Sequence, residues 1–503
     1  MLVGAEVVLG LFLSYIFYRS LCAIIGHYRI VNILKKFPGP KSHWLLGNLH
    51  QLASPKEFLK SYHSFSLKFP RKFLLWYGPL TPVLSVSHPE TIRAVIKAKT
   101  IKDGPAYQYF IAYRFLNEWV GPGLLTENGK RWSRNRRLIT PAFHFDVLKP
   151  YVHIYNEALD ILTEKWSNPD RLHKPLDTFY DASLCTLDVI TRCAFSVEFD
   201  CQRENVKHPY INAVRTITKL VTERPFNIFY HSDWIYSITS AGRKFYSNVQ
   251  LTHEFTENVI RKRQGELSSS HDDGSKMKKH LDFLDVLLKA TYENGEGLSL
   301  LEIRNEVDTF LFAGHDTSSS ALSSTLYCIA RYTEHQDKIR SEVDKILACK
   351  EEIEWKDLPE LKHTSLCIKE AMRLYTTVPI IERTLERDVE IDGKILAAGS
   401  QIAIAGFMLH RNPDVWDDPE KYDPLRFLPE NCGSRHPYAY IPFSAGSRNC
   451  IGQNFAINFL KVAVAKLVYR YYFTVDMKNN LTFTAPLVLK LHGHDIYIKE
   501  RNN

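Results

Sequence analysis

Cysteine is scarce in this chain. It makes up 9 of the 503 residues, which is an odd number, and no two cysteines stand in a Cys-X-X-Cys pair. The scarcity excludes a disulfide-rich scaffold, and the missing pair argues against a zinc ribbon or a thioredoxin-like site. Glycine and proline are close to average at 23 and 24 residues, which excludes collagen-like and low-complexity proteins. We therefore expect a reducing compartment and mostly buried structural thiols, with one exception described below.

A dense charge of either sign is also missing. The net charge is +8 over the whole chain. That excess is too dilute to indicate nucleic-acid binding, although it suits a mild attraction to anionic membrane surfaces or acidic partners. Hydrophobic residues make up 45% and charged residues 24%, as in ordinary globular proteins, which excludes disorder as the main state. At about 150 residues per domain, the length gives a prior of roughly three domains.

A long apolar run opens the chain. Residues 2–25 are apolar apart from Glu6, Arg19 and a few small or hydroxylated residues, and this length suffices for a helix to cross a bilayer of about 30 Å. Basic residues follow the run and none precedes it, so the charge bias favours a cytoplasmic location for the remainder. A cleaved signal peptide is the alternative, but the run lacks a positive start and a clear cleavage site. A tilted or interfacial helix also stays open. We expect a membrane anchor over residues 1–28.

A proline-rich segment follows the predicted anchor. The sequence Phe37-Pro38-Gly39-Pro40 cannot continue a helix, so residues 29–45 are predicted to form a stiff hinge. The plain alternative is any loop that contains prolines. Residues 46–503 would then form one body, because the motifs described next are spread over its length and are expected to build one site.

Within the body, two segments have the pattern of short paired strands. Residues 72–86 contain a Gly-Pro turn between apolar runs, and residues 389–405 are predicted to form a second hairpin that turns at Asp392-Gly393. Most of the remainder has helical periodicity, and no internal repeat is present. Residues 267–280 are polar and Ser/Gly-bearing, which is typical of a surface loop. The predicted fold class is mainly α with small β-sheets (α+β).

The most informative segment is FSAGSRNCIG, which runs from Phe443 to Gly452. Small and apolar residues recur at helical spacing after it, so Cys450 should lie just before a helix N-terminus, where free N–H groups and the helix dipole favour a thiolate. Gly446 permits a close backbone approach to a flat ligand, and Arg448 can pair with a carboxylate. One chemistry open to a thiolate such as that of Cys450 is ligation of a haem iron, where it favours O–O cleavage. The plain alternative for a lone cysteine is a buried small hydrophobic residue.

A second segment of interest lies on a long predicted helix. The sequence Ser299-Leu-Leu-Glu302 is a capping box that would open this helix. Residues 313–317, AGHDT, then place two small residues ahead of an acid and a hydroxyl. Small residues let a ligand lie against the backbone, and the Thr317 hydroxyl can bond to the carbonyl of Ala313 and disturb the helix locally. An ordinary core helix is the plain alternative.

Two further residue pairs fall on single helix faces. Glu370 and Arg373, at i and i+3, can form an ion pair, and its flanking apolar residues indicate that the pair is at least half buried. An exposed helix pair is the common alternative. Trp132 and Arg136, at i and i+4, place an indole beside a guanidinium. Residues 130–137, KRWSRNRR, are also a basic run, which is usually a solvated face.

These segments together resemble the cytochrome P450 superfamily. The Cys450 segment matches the family's haem-binding loop, FxxGxRxCxG, at every fixed position, and residues 313–317 match its oxygen-binding helix, [AG]GxDT. Within the superfamily the chain resembles family four, on residues 306–317 (EVDTFLFAGHDT), 412–416 (NPDVW) and 435–438 (RHPY). The resemblance covers nearly the whole chain. It implies the cytochrome P450 fold, with haem between the oxygen-binding helix and the helix after the cysteine loop.

The resemblance also implies roles for individual residues. Cys450 would ligate the haem iron, Thr317 would hydrogen-bond the oxygen molecule, and Asp316 would help to bring in protons. Arg426 would join Glu370 and Arg373 in a structural cluster behind the haem. The implied haem-binding residues are Trp132, Arg136, Gly314, Arg383, Phe443, Gly446, Arg448 and Cys450. By position alone, the substrate pocket would include Phe310, Ala313, Val378, Ile380 and Leu487, although core packing is an equal alternative for each.

The implied activity is that of a haem-thiolate monooxygenase in the endoplasmic reticulum membrane, with its body on the cytosolic face. It would insert one oxygen atom of O2 into a fatty acid or another long aliphatic compound. NADPH–cytochrome P450 reductase would supply the electrons, cytochrome b5 is a further candidate donor, and the basic run could dock such an acidic partner. Oxidation of xenobiotics, hormones or odorants is an open alternative. A haem-thiolate isomerase or dehydratase, or a haem carrier, fits less well because residues 313–317 carry the acid–threonine pair and two small residues.

Two departures from family four matter. Many members carry Glu where this chain has Ala313, and that Glu forms an ester to the haem. Alanine has no carboxylate, so we expect noncovalent haem b and a relaxed preference for the terminal carbon. Thr376-Thr377 replaces the usual Pro-Pro, with little expected effect because Pro379 still ends the helix. The glycosylation sequence Asn480-Leu-Thr482 should stay unmodified if the body is cytosolic.

Overall fold

A computed structural model describes the protein at residues 2–52, 57–101, 112–172, 174–203, 208–272, 281–290, 297–476, 478, 481–485, 487–493 and 495–501. Helices dominate this part of the chain and the strands are short, so the predicted α+β class is confirmed.

The α-helices of the described residues are α1 (Leu2–Leu34), α2 (Phe58–Lys68), α3 (Pro89–Lys97), α4 (Ala112–Val120), α5 (Gly129–Ile139), α6 (Phe145–Leu148), α7 (Tyr151–Trp166), α8 (Pro169–Leu172), α9 (Thr178–Phe195), α10 (Pro209–Glu223), α11 (Asp233–Ile238), α12 (Ser240–Asp272), α13 (Phe283–Lys289), α14 (Leu300–Arg331), α15 (Thr333–Leu347), α16 (Lys362–Leu374), α17 (Gly406–Leu409), α18 (Pro429–Cys432) and α19 (Gln453–Arg470). Short 3-10 turns lie at Thr140–Phe143, Arg224–Phe226, Ile228–His231, Trp355–Asp357, Pro424–Phe427 and Gly446–Arg448.

The strands of the described residues are β1 (Lys72–Trp76), β2 (Pro82–Val86), β3 (Thr100–Ile101), β4 (Ile381–Leu385), β5 (Val389–Ile391), β6 (Lys394–Leu396), β7 (Gln401–Ile404), β8 (Tyr471–Val475), β9 (Thr482–Thr484), β10 (Lys490–His492) and β11 (Ile496–Glu500). The largest sheet has the order β1-β2-β7-β4-β3, in which only β2 and β7 run parallel. Three two-stranded sheets pair β5 with β6, β8 with β11 and β9 with β10.

Both predicted hairpins form, and one is shorter than expected. β1 and β2 pair antiparallel across the Gly-Pro turn. β5 and β6 turn at Asp392 and Gly393, which both have positive φ angles, as a tight hairpin turn requires. The predicted second hairpin over residues 389–405 ends at Leu396, because the fully buried β7 instead pairs with β2 and β4 at the centre of the large sheet.

The N-terminal apolar run forms a single helix that continues past residue 28, where the anchor was predicted to end. Its stretch Gly10–Leu34 is long and apolar enough to cross a membrane by length and composition. Ile30 and Leu34, one turn apart, are buried with Phe37 against the large sheet. This apolar face keeps the chain helical to Leu34, so the non-helical part of the hinge begins after that residue.

The polar segment 267–280 is not a loop at its beginning. α12 continues through Asp272, and the hydroxyls of Ser268 and Ser269 donate to the carbonyls four residues earlier at 2.9 Å. These bonds let serine remain inside a helix. The other part of the predicted loop, residues 273–280, lies outside the described residues.

α14 is the central element of the body. The predicted capping box is present: the Ser299 hydroxyl accepts from the Glu302 N–H at 3.3 Å, and the Glu302 carboxylate accepts from the Ser299 N–H at 3.0 Å. The helix has 32 residues, which corresponds to about 48 Å. It packs against α9, α12, α16 and α19, so it crosses the whole core and supports the ligand cavity described below.

A fully buried ion pair fixes the segment that leads to the cysteine loop. Arg373 donates to both carboxylate oxygens of Glu370, at 2.7 and 2.8 Å, and neither side chain is exposed to solvent. The Arg426 Nε lies 3.3 Å from the same carboxylate, in the place where a third partner is predicted. The other donors of Arg373 bind the backbone carbonyls of His410, Pro419 and Lys421.

Replacing the buried acid should destabilise the protein strongly. Glu370→Gln leaves the guanidinium of Arg373 buried without its counter-charge, and we expect a loss of about 3–5 kcal/mol in the free energy of unfolding, measured in urea titrations. The control is Glu57→Gln at the exposed pair with Lys60, whose side chains are 55% and 82% exposed. That change should cost less than about 1 kcal/mol. Similar losses in the two variants would contradict the proposed importance of burial.

Candidate active site

The cysteine loop is closed by its own backbone. The Cys450 N–H donates to the carbonyl of Phe443 at 2.9 Å, and α19 begins three residues after the cysteine, at Gln453. Ser444 and Gly446 both have positive φ angles inside this loop, of 59° and 72°. The sulfur therefore sits ahead of a helix N-terminus, as predicted, where unpaired N–H groups favour a negative charge.

The glycine of this loop is needed for packing. A Cβ atom on Gly446 would lie 2.7 Å from the Cγ2 of Ile96 in α3, and its φ angle already favours glycine. Gly446 is not among the residues that line the cavity. The contact with α3 is one reason for glycine at this position, and the close approach of a flat ligand stays a prediction.

A cavity of about 450 Å³ lies between α14 and the cysteine loop. Its size is within the range of small-molecule and cofactor sites. The predicted cofactor and catalytic residues that line it are Trp132, Arg136, Gly314, Thr317, Arg383, Phe443, Arg448 and Cys450. The five predicted pocket residues also line it, namely Phe310, Ala313, Val378, Ile380 and Leu487. Segments up to several hundred residues apart in the sequence thus converge on one space.

On the α14 side, small residues and a hydroxyl face the cavity. The Thr317 hydroxyl donates to the carbonyl of Ala313 at 2.7 Å, which is the i−4 bond that the sequence predicts. A Cβ atom on Gly314 would lie 2.8 Å from the Cγ1 of Ile190 in α9. Gly314 therefore permits close packing of the two helices in addition to lining the cavity.

Asp316 does not line the cavity. Its side chain is 2% exposed and its Oδ1 lies 3.3 Å from the ammonium of Lys490 in β10, which is itself buried. Among the described residues, the second carboxylate oxygen has no hydrogen-bond partner. The acid is one residue from Thr317 in the sequence, but it is held behind the helix by a charge that the sequence did not reveal.

Cationic side chains gather at one end of the cavity. The guanidinium of Arg448 lies 3.8 Å from the ring centroid of Trp132, and it donates to the carbonyl of Glu127 at 2.8 Å. Arg136 donates to both the carbonyl and the side chain of Asn449 at 2.9 Å, so α5 is fastened directly beside Cys450. Arg383 lies in β4 and also lines the cavity, and it is 6% exposed.

The charges of this cluster indicate what the site would hold. Burial and the neighbouring Arg383 lower the pKa of Arg448 to about 10. Two guanidinium groups inside a protein repel each other, and an anionic ligand beside them would offset that repulsion. A haem group carries two carboxylates, so the cationic end fits its propionates, the apolar walls fit its ring, and Cys450 fits its iron. The residues present therefore fit haem.

A buried acid outside the predicted set positions α5. Glu306 on α14 accepts hydrogen bonds from the Leu124 N–H at 2.9 Å and from the amide of Asn135 at 2.7 Å. Burial raises the pKa of Glu306 to about 7. This acid connects α14 to the helix that carries Trp132 and Arg136. Glu306 opens the segment 306–317 that resembles family four, but the sequence alone does not assign this acid a partner.

Sequence reasoning also missed much of the cavity wall. Additional lining residues come from α2, α4, α10 and the turn after it, for example Phe58, Leu116, Val221 and Phe226. No motif surrounds them, because each is a single apolar residue on an ordinary amphipathic helix. Only the packing of these helices against α14 brings them to the site.

The comparison with known proteins agrees with this geometry. The sequence profile described as Cytochrome P450 matches residues 37–495. The chain belongs to the cytochrome P450 family. It is 41% identical over 474 residues to cytochrome P450 4F4 of Rattus norvegicus, with 92% of this chain and 90% of the relative covered. It is also 41% identical over 475 residues to leukotriene-B4 omega-hydroxylase 3 of Mus musculus, with the same coverage.

Two more comparisons complete the assignment. Cytochrome P450 4B1 of Homo sapiens is 38% identical over 496 residues, which cover 97% of this chain and 95% of the relative. The crystal structure of the haem domain of cytochrome P450DA superposes with a TM-score of 0.79 at 26% identity, covering 93% of this chain and 98% of that one. The predicted cytochrome P450 fold and the resemblance to family four are confirmed.

Membership in the family determines the general chemistry. This P450 is a haem-containing monooxygenase whose cofactor is held by a cysteine thiolate, and it acts on a lipophilic substrate with O2 and a redox partner. The cysteine that lines the cavity in the described structure is Cys450.

Removing the sulfur should change the spectrum of the enzyme. In Cys450→Ser, the reduced carbon monoxide complex should lose its long-wavelength thiolate band and retain at most a shorter-wavelength one. Cys349→Ser, at an exposed cysteine, is the control and should keep the wild-type spectrum. A long-wavelength band that persists in Cys450→Ser would refute ligation by this residue.

Removing a cavity arginine should weaken haem retention. Arg448→Gln deletes a charged hydrogen-bond donor that is worth about 1.5–3 kcal/mol towards a carboxylate. Haem transfer to apomyoglobin should accordingly become about 10- to 100-fold faster. Arg137→Gln changes an exposed arginine of the same basic run and should leave the rate unchanged. Equal transfer rates in Arg448→Gln and wild type would remove Arg448 from the haem site.

Proposed function

We propose that this P450 hydroxylates long aliphatic lipids, and fatty acids in particular, with electrons that NADPH–cytochrome P450 reductase delivers and cytochrome b5 as a second donor. The observation that supports this is the continuity of the cavity, which connects Cys450 and Thr317 with an apolar wall. Phe310, Val378 and Leu487 belong to this wall and suit an alkyl chain. The name of the leukotriene-B4 omega-hydroxylase relative points to the same class of substrate.

The proposed mechanism begins with the cofactor site. Haem b held in this cavity would supply an iron that activates O2 with electrons from NADPH, so that one oxygen atom enters a C–H bond and the other leaves as water. Cys450 would provide the thiolate, positioned by the bond of its N–H to Phe443 and by the N-terminus of α19. Arg136, Arg383 and Arg448 would bind the propionates, and Trp132 packs against the guanidinium of Arg448.

The residues on α14 would control protons. The Thr317 hydroxyl, bonded to the Ala313 carbonyl, can rotate and donate into the cavity, which leaves that carbonyl free to accept from water. One carboxylate oxygen of Asp316 is paired with Lys490, and within the described part of the chain the other has no hydrogen-bond partner, so this oxygen could join a proton relay after a change of rotamer. The two residues together would pass protons from the protein interior to the cavity, which favours a monooxygenase over an isomerase or dehydratase.

The residues on the substrate side would exclude water and orient the chain. Phe310 stacks on Phe143, with ring centroids 5.6 Å apart, and the pair narrows the cavity above the cysteine loop. Ala313 offers neither bulk nor a carboxylate, so the haem stays noncovalent and the substrate has space beside α14. We expect hydroxylation near, but not strictly at, the terminal carbon.

The cellular location follows from α1. We infer that this helix anchors the protein in the endoplasmic reticulum membrane with the body on the cytosolic face, where the reductase acts. The basic run at residues 130–137 would dock that acidic partner. Asn480, the residue that a lumenal orientation would expose to glycosylation, lies outside the described residues.

Reconstitution with the reductase tests this function. Fatty acids of graded chain length, incubated with NADPH and the membrane-bound enzyme, should yield hydroxylated products. Thr317→Ala should lower product per NADPH by roughly tenfold and raise hydrogen peroxide, whereas Thr317→Ser should stay coupled. Unchanged coupling in Thr317→Ala would argue against the proton relay. Products only from hormones, odorants or xenobiotics would overturn the lipid assignment.

Extraction of the cofactor tests its attachment. Acidified organic solvent should remove all haem from the wild-type polypeptide, because Ala313 cannot form an ester. Ala313→Glu restores the carboxylate of many family-four members and should retain part of the haem. Haem that stays with the wild-type polypeptide would show a covalent bond from another residue.

A further inference from the structure

Two neighbouring helices bring three metal-binding side chains together, away from the haem cavity. His335 lies in the first turn of α15, and His363 and Cys367 lie on α16. One ring nitrogen of each histidine and the cysteine sulfur all lie within 4.8 Å of one another. The spacing of four residues between His363 and Cys367 places both on one face of α16, and His335 approaches that face from α15.

The distances suit a small tetrahedral ion. The His335 Nδ1 lies 3.1 Å from the His363 Nε2. Two nitrogen ligands at 2.0–2.1 Å from a tetrahedral zinc ion are separated by about 3.3 Å. The two rings are nearly parallel, at 27° with centroids 5.2 Å apart, so both rings would turn to direct these nitrogens at one ion.

We propose that His335, His363 and Cys367 bind a zinc ion, with a fourth position left for water or an outside ligand. Two imidazoles and one thiolate are a ligand set that zinc prefers over calcium or magnesium, which take oxygen ligands. His335 and Cys367 are buried, and the half-buried His363 provides the route by which an ion enters.

Neighbouring residues hold the three proposed zinc ligands in place. The carboxylate of Glu342 on α15 accepts from the His363 and Thr364 N–H groups, which fixes the first turn of α16. The Tyr422 hydroxyl donates to the Cys367 carbonyl at 3.1 Å, and its ring packs edge-on against His335 at 5.6 Å. These contacts hold the backbone at His363 and Cys367, and the ring contact supports the His335 side chain, before any ion arrives.

Zinc in this site would clamp α15 to α16. α16 also carries Glu370 and Arg373, one to two turns beyond Cys367, and these hold the segment that leads to the cysteine loop. A metal bridge at the start of α16 would therefore raise the unfolding temperature of the haem domain without touching the haem itself.

Zinc content and zinc coordination test the proposal on the full-length haem protein. Protein dialysed against chelator-buffered zinc should hold one zinc per haem iron by elemental analysis. Zinc X-ray absorption should show one sulfur at about 2.3 Å and two nitrogens at about 2.0 Å. His363→Gln and Cys367→Ala should each weaken zinc binding at least tenfold, and Cys367→Ala should lack the sulfur distance.

Two matched controls separate this site from surface binding. Cys349→Ser and His144→Gln change exposed residues of the same types elsewhere and should bind zinc like the wild type. The thiolate carbon monoxide band should persist in every variant, which shows that folding and haem are intact. The proposal is overturned if wild-type protein holds no zinc after dialysis, if its zinc has no sulfur neighbour, or if both ligand variants keep the metal, in which case the two histidines and the cysteine only pack.

Discussion

The ion pair between Glu370 and Arg373 has no access to solvent. It determines the path of the backbone on the cysteine side of the haem cavity. Charges that have left water must be fully paired and hydrogen-bonded. The guanidinium therefore takes the carbonyls of His410, Pro419 and Lys421, which forces the chain after α17 to wrap around it. His410, so placed, accepts the Ile441 N–H at 3.0 Å, two residues before the cysteine loop begins.

The cavity then combines charged and apolar surroundings. The cysteine sulfur lies at a helix N-terminus, three arginines lie along the same cavity, one of them bound to the residue next to the cysteine, and the remaining walls are apolar. Glu306 connects two walls of the cavity, because its carboxylate on α14 accepts from the backbone of Leu124 and from the amide of Asn135 in α5. A ligand that is anionic at its edge, flat and apolar across its face, and electrophilic at its centre satisfies all of these groups at once.

Local patterns in the sequence predicted much of this arrangement. The capping box at Ser299, the Asp392-Gly393 turn and the cysteine loop each depend on residues a few positions apart, so their geometry is present in the sequence itself. Gly314 and Gly446 also make close contacts with Ile190 and Ile96, which are distant in the sequence. The Lys490 partner of Asp316 likewise comes from a strand near the other end of the chain. Such contacts depend on packing and leave no local signature.

α1 stays helical up to the residues that pack against the body, and this continuity affects how the protein can move. A flexible tether would let the body rotate freely relative to the helix that precedes it. With Ile30 and Leu34 packed against the large sheet, the proposed anchor and the body rotate as one piece. The tilt that the helix adopts in a bilayer would then also set the orientation of the body above it.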